Sequence, residues 1–319
     1  MLSAKHFFIS ALAITLAMVA SVVGANVLID NYSLFGNARG KRISLYYNER
    51  LEKNILSRRY VPENFNALLI GPSTSFNVNT GQFRPLEIYN LSILGGTITE
   101  IKALVDNYLE LRSPRLVIIC MYPYMLRQHG MKTDYLSSRA VYGALGSIDI
   151  LKRYVIQAYH SLSEKELYNE FGYHVYEEVP LEKTLELIRE KAEDPDYARR
   201  ELSIDPLAWQ DYLDLIQELR ERNVKIIQYY HPVPRPIYER HREFFDNYLD
   251  LVTAVLPEDA ITVDFNIPKY KHFTTQLDNF QDDCHLSGKG AAGMEKLLHE
   301  MLIEHVSAAD VKEEEEEEP

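Results

Sequence analysis

Cysteine is scarce in this chain, with Cys120 and Cys284 the two examples in 319 residues. They can pair in an oxidising compartment or both stay free, and the sequence leaves both states open. No C-x-x-C pair and no glycine-rich phosphate loop is present, which argues against a thioredoxin-like or nucleotide-binding domain. No histidine, cysteine or carboxylate cluster has a tight metal-ligand spacing, so neither a metal nor another cofactor is expected. Basic stripes are missing too, and the net charge of -13 excludes a nucleic-acid footprint. No internal repeat is found. A hydrophobic fraction of 46% is ample for a packed core, so the chain is not a disordered protein.

The charge that is present is partly local. The chain ends VKEEEEEEP, and a like-charge block repels itself and stays solvated, so residues 307–319 are expected to form a disordered acidic tail. At the other end, residues 7–29 carry no charge, and their length suits one helical crossing of a hydrocarbon core about 30 Å thick. Residues 1–30 therefore read as an N-terminal membrane anchor, with a cleaved signal peptide as the competing reading, since Val23, Gly24 and Ala25 form a small-residue site. Arg39, Lys41 and Arg42 follow the apolar run, and a positive-inside count leans toward a cytoplasmic body.

After a juxtamembrane segment at residues 31–65, with a helix expected near 43–56, a regular alternation begins. Short runs rich in branched residues start at 67, 87, 116, 224 and 261, with helical patterns between several of them. Alternation of this kind builds βαβ units and a parallel sheet, so the expected fold is a three-layer α/β/α domain over residues 66–306. Thr97 and Glu100 form a capping box, and Asp205-Pro206 is a helix start. Two further helices are expected, over residues 235–257 and 287–306. The rhythm lapses between about 127 and 203, a polar, helical stretch read as an insertion over the sheet.

Ligands of open parallel sheets bind outside the carboxyl ends of the strands. The unusual residues fall there: GPSTS at 71–75, LSILGGT at 91–97, MYPYMLRQH at 121–129 and HPVPRP at 231–236. A last loop carries DDCHLSGKGA at 282–291. A serine hydroxyl needs a neighbouring base to attack a carbonyl, and the base needs an orienting carboxylate. Ser73, His285 and Asp282 supply those three types. Gly95-Gly96-Thr97 is a tight turn before a helix, suited to present N–H groups to an oxyanion. Each residue also has a plainer reading: Ser73 as a turn residue, His285 as a helix-entry histidine, Asp282 as loop charge.

Taken together, these blocks resemble the SGNH, or GDSL-like, hydrolases. Gly71-Pro72-Ser73 is similar to their first block and places the nucleophile on Ser73. NLSILGGT is similar to the second and places the oxyanion glycine at Gly95, with the N–H of Ser73 as a second donor; DDCH matches the last, at Asp282 and His285. The single anchor, the helical insertion and VDF ahead of DDCHLSGKGA resemble membrane-tethered bacterial members that act in polysaccharide O-acetylation and D-alanyl transfer to teichoic acid. The resemblance implies a flavodoxin-like parallel sheet, an extracytoplasmic body, an acyl donor and a glycan acceptor, and a membrane-bound acyltransferase as partner. Two blocks depart from the pattern: Pro72 replaces an aspartate, and MYPYML stands where an oxyanion asparagine belongs. Those departures motivate a rival expectation, a catalytically inactive scaffold that binds polymer in a biosynthetic complex. Tyr122 and Tyr124 are candidate sugar-stacking rings, with Arg127 and His129 as contacts to an anionic polymer.

Overall fold

The computed structural model describes residues 4–30, 32–41, 43–44, 48–83, 85–145 and 169–306. The expected acidic tail and residues 146–168 of the insertion lie outside the described residues. Five strands form one sheet: β1 Ala67–Ile70, β2 Ile88–Asn90, β3 Leu116–Met121, β4 Lys225–Tyr230 and β5 Ile261–Asp264. All neighbouring pairs are parallel, in the order β2-β1-β3-β4-β5.

Strand periodicity divides the core into two layers. Leu68, Ile70, Val117, Ile119, Ile226 and Tyr230 point to one face; Ala67, Leu69, Ile118, Cys120, Ile227 and Tyr229 point to the other. Because both faces are buried, the strands read as continuous apolar runs. Helices Glu49–Ser57, Ile98–Leu109, Pro206–Glu221 and Arg242–Thr253 cover the first face. The second is covered by Leu181–Glu193, Arg235–Arg240 and Gly288–His305, which completes the α/β/α sandwich.

Local signals act where the sequence puts them. Thr97 and Glu100 make both bonds of the capping box, and Asp205 accepts the N–H groups of Leu207 and Ala208 with Pro206 at the first helical position. Two boundaries differ from expectation. The helix expected near 43–56 starts at Glu49, where Asn48 caps it by accepting the N–H of Leu51. The pattern over 235–257 is two helices, because His241 leaves helical geometry at φ −115°, ψ 21° and ends the first. A 26-residue apolar helix, Ala4–Ile29, leads the chain; its length and composition match a membrane span and equally a signal sequence.

β1 leaves the sheet at Gly71. A methyl group there would come within 2.7 Å of Cys120 Cβ on β3 and would also strike the Ser75 hydroxyl, so the tight exit requires the missing side chain. Gly71→Ala is expected to lower the unfolding free energy by about 2 kcal/mol, the cost of overpacking a close contact. A denaturant titration of the purified chain checks this, and an unchanged midpoint would show that the exit can relax.

Candidate active site

Beyond Gly71, Pro72 stays extended and residues Ser73–Ser75 form one 3-10 turn. That turn lifts Ser73 to the carboxyl edge of the sheet. The loop after β5 brings Asp282 and His285 to the same edge, just before Ser287 caps the helix Gly288–His305. Ser73 Oγ and His285 Nε2 lie 2.7 Å apart, and His285 Nδ1 and Asp282 Oδ2 are also 2.7 Å apart. A carboxylate only accepts, so Nδ1 carries the proton and Nε2 offers its lone pair to the serine hydroxyl. The other Asp282 oxygen accepts the backbone N–H groups of Cys284 (2.9 Å) and His285 (2.6 Å). Burial alone would raise the Asp282 pKa, but these bonds and the imidazole hold it below the usual carboxylate value.

Several bonds fix the two loops against each other. Asn77 donates its side-chain N–H to the Leu286 carbonyl at 2.9 Å, and Glu295 of the last helix accepts the N–H of Asn79 at 2.8 Å. Tyr176, from the segment after the undescribed part of the insertion, donates its hydroxyl to the Ser73 carbonyl at 2.7 Å. Its ring meets the His285 imidazole edge-on, with centroids 5.7 Å apart. Nothing in the sequence singles out Tyr176 among 22 tyrosines, because its role depends on where residues 169–180 fold back against the site.

A second histidine lies behind the first. His231, at the end of β4, is buried and donates from Nε2 to the Cys284 carbonyl at 2.8 Å. Its other nitrogen faces the Cys120 thiol at 3.9 Å, and Cys120 in turn lies 3.5 Å from the Thr74 hydroxyl. This buried chain therefore runs from the residue after Ser73 to the residue before His285. Burial depresses the His231 pKa to about 3, so the ring is neutral at any ordinary pH. Cys120 and Cys284 are both free thiols. Burial and the neighbouring Asp282 and Asp283 push the Cys284 thiol up, which keeps it protonated and a poor nucleophile. Ligand atoms of Asp282, Cys284 and His285 lie within 4.8 Å of one another, yet both imidazole nitrogens are already engaged.

The four candidate substrate contacts are placed unevenly. Tyr122 is 7% exposed, with its ring packed edge-on against His231. Tyr124 is half-buried beside Gly95, with the Arg127 guanidinium 4.6 Å and the Lys132 ammonium 4.4 Å from its ring centre. Arg127 pairs with Glu201, and His129 lies 3.4 Å from Asp211, so both already face carboxylates. Gly95 has φ +56° and follows β2, whose edge is bonded by Lys53 and Arg50 from the helix Glu49–Ser57. Neither cation carries a sequence signal for this, since each reads as part of a charged helix face.

No family model matches the chain, and no curated protein matches it. Solved structures do resemble it at low identity. A candidate platelet activating factor protein from Streptococcus pneumonia is 13% identical, with 80% of this chain and 91% of that one covered and a TM-score of 0.43. A candidate acylhydrolase from Bacteroides fragilis is 12% identical, over 75% and 86% of the two chains, at 0.35. A lipolytic protein of the G-D-S-L family from Desulfitobacterium hafniense is 10% identical, over 74% and 99%, at 0.37.

His231 gives the site a pH dependence with a definite sign. Its folded pKa of about 3 lies below the unfolded value of 6.5, so between them the unfolded chain binds the extra proton and stability falls as pH falls. From pH 7 to pH 4 this residue is expected to cost about 3 kcal/mol, at about 1.4 kcal/mol per unit. Urea midpoints at both pH values for the wild type and His231→Gln check it; an equal acid loss in the two proteins would show that His231 does not titrate on unfolding.

Proposed function

We propose that the chain is a serine-dependent esterase or O-acyltransferase of the SGNH-like kind, acting on an acylated or acyl-accepting glycan at a membrane surface. The observation that carries this reading is the continuous Ser73–His285–Asp282 hydrogen-bond chain, assembled from loops 212 residues apart in sequence. Such a chain has the geometry of nucleophile, general base and orienting acid.

The reaction divides into two displacements. Ser73 Oγ attacks the ester carbonyl while its proton moves to His285 Nε2, and the imidazolium formed is stabilised by Asp282. Collapse of the tetrahedral intermediate breaks the bond to the leaving oxygen, which takes the proton from His285, and leaves an acyl group on Ser73. Water or a sugar hydroxyl then attacks the acyl carbon, with His285 again accepting the proton, and collapse breaks the acyl–Ser73 bond as His285 returns that proton to Ser73 Oγ. The N–H groups of Ser73 and Gly95 are the proposed oxyanion donors. Ser73 opens its 3-10 turn, and the first amides of any such turn have no partner within it. Pro72 costs nothing in this scheme, because the missing N–H precedes the turn. Tyr124, rimmed by Arg127 and Lys132, supports a polyhydroxylated or anionic acceptor. The apolar leading helix supports membrane tethering; in this proposal, as the family resemblance implies, the body faces outward and a membrane-bound acyltransferase supplies the acyl group.

The test is intact-mass analysis of the detergent-solubilised chain after treatment with a fluorophosphonate. One adduct is expected on the wild type and none on Ser73→Ala or His285→Ala. Asp282→Asn should label at least 1,000-fold more slowly, on the order of the loss seen when a triad base loses its orienting carboxylate. A folded wild type that takes no adduct would instead favour the inactive, polymer-binding scaffold.

A further inference from the structure

The exit of β2 is an edge, with β1 on one side of it. Beyond the strand, backbone groups continue to alternate. The N–H groups of Leu91 and Ile93 turn inward and bond the carbonyls of Leu69 (2.8 Å) and Gly71 (3.2 Å). The carbonyls of Asn90, Ser92 and Leu94 turn the other way, where no further strand stands among the described residues. They meet two basic side chains one helical turn apart. Lys53 Nζ donates to Asn90 O (2.7 Å) and Ser92 O (2.5 Å), and Arg50 Nη2 donates to Leu94 O (2.6 Å). Lys53 is wholly buried and Arg50 nearly so, with Nε and Nη2 of Arg50 forked onto the two oxygens of the buried Glu100 at 3.1 and 3.2 Å.

We infer that Arg50 is a positioning residue for the oxyanion site, acting through the peptide between Leu94 and Gly95. This deepens the esterase reading and rests on it. The Gly96 N–H bonds the Ile93 carbonyl at 3.1 Å, which makes residues 93–96 a β-turn. Gly95 has φ +56° at its third position while Leu94 is not among the positive-φ residues, the signature of type II. Types I and II differ by a rotation of the central peptide through about 180°, which exchanges the directions of its C=O and N–H. A trans peptide holds those two groups antiparallel. By holding the Leu94 carbonyl outward, Arg50 therefore fixes the Gly95 N–H inward and opposes the flip. Inward is the side of β1. Leu91 meets residue 69 and Ile93 meets residue 71, so the turn follows the last pair of this ladder, beside the place where β1 leaves the sheet toward Ser73.

Glu100 is the second half of the device. It caps its own helix by accepting the Thr97 N–H, accepts the Lys132 N–H at 3.0 Å, and aims the Arg50 fork. The helix bearing Arg50 and Lys53 follows the apolar segment in the chain, so the oxyanion turn is braced by the juxtamembrane region and not by the sheet alone.

Arg50→Lys keeps the charge but lacks the second arm needed to hold Glu100 and Leu94 together. In the full chain in detergent, its kcat/KM on p-nitrophenyl acetate and its rate of fluorophosphonate labelling are expected to fall on the order of 10- to 100-fold, a part of the loss on removing one oxyanion donor. The ³¹P resonance of the phosphonyl-Ser73 adduct should shift, since that oxygen sits in the donor site, while the apparent pKa of the rate profile should not move because the triad is untouched. Thr97→Ala, which loosens the same helix end without touching the Leu94 carbonyl, should leave the ³¹P resonance in place. If Arg50→Lys does not fold, Glu100→Gln gives the same readout, because it retains an acceptor for Thr97 and drops the carboxylate that aims the guanidinium. A labelled wild type with unaltered rate and resonance in these variants would overturn the role of Arg50 alone. An unlabelled wild type would overturn the serine mechanism and this inference with it.

Discussion

A strand that runs parallel to its neighbour must be returned by a crossover, and in a wholly parallel sheet every loop leaving a strand emerges at the same edge. That constraint is what lets Ser73 and His285 meet. The order β2-β1-β3-β4-β5 adds a second condition, since β1 and β3 send their connections to opposite sides and open a crevice between them. The Ser73 turn leaves β1 at this point. Gly71 keeps the exit tight against Cys120 of β3, and the rest of the site is arranged around the place where Ser73 then stands.

Around that point, the hydrogen bonds form a set of braces on each member of the chain. Asp282 has both oxygens occupied, and so cannot turn away from His285 without leaving two N–H groups unpaired. His231 holds the Cys284 carbonyl from below, and Tyr176 holds the Ser73 carbonyl from the insertion side. Polar groups this close together in a half-buried site are costly unless satisfied, and their mutual satisfaction leaves one arrangement of the loops. The same reasoning covers the β2 edge, where cations from a helix serve as donors to carbonyls that a further strand would otherwise have met.

Two kinds of tyrosine show how position decides use. Tyr122 and Tyr124 are two residues apart after β3, yet one is sealed against His231 and the other lies between two cations at the rim. The 3-10 turn Pro123–Leu126 begins between them, leaving Tyr122 inward and placing Tyr124 toward Gly95. Arg127 and His129 are drawn to Glu201 and Asp211, carboxylates of the segments folded over that loop.

The sequence by itself determined the alternation of strands and helices, their caps and the leading apolar helix, and it marked Ser73, Asp282 and His285 as candidates. These are local quantities: apolar periodicity, a capping residue, a glycine at a strand exit, an Asp-x-x-His spacing. It misjudged His241, where one amphipathic pattern hides a break between two helices, because periodicity continues across a single irregular residue. Tertiary structure alone decided that Tyr176 reaches Ser73, that His231 is neutral and buried, and that Arg50 and Lys53 grip the loop after β2. Each of those contacts joins segments more than 35 residues apart. A tyrosine, a histidine or a lysine carries the same local pattern whether it faces water or another loop, so only the folded arrangement distinguishes them.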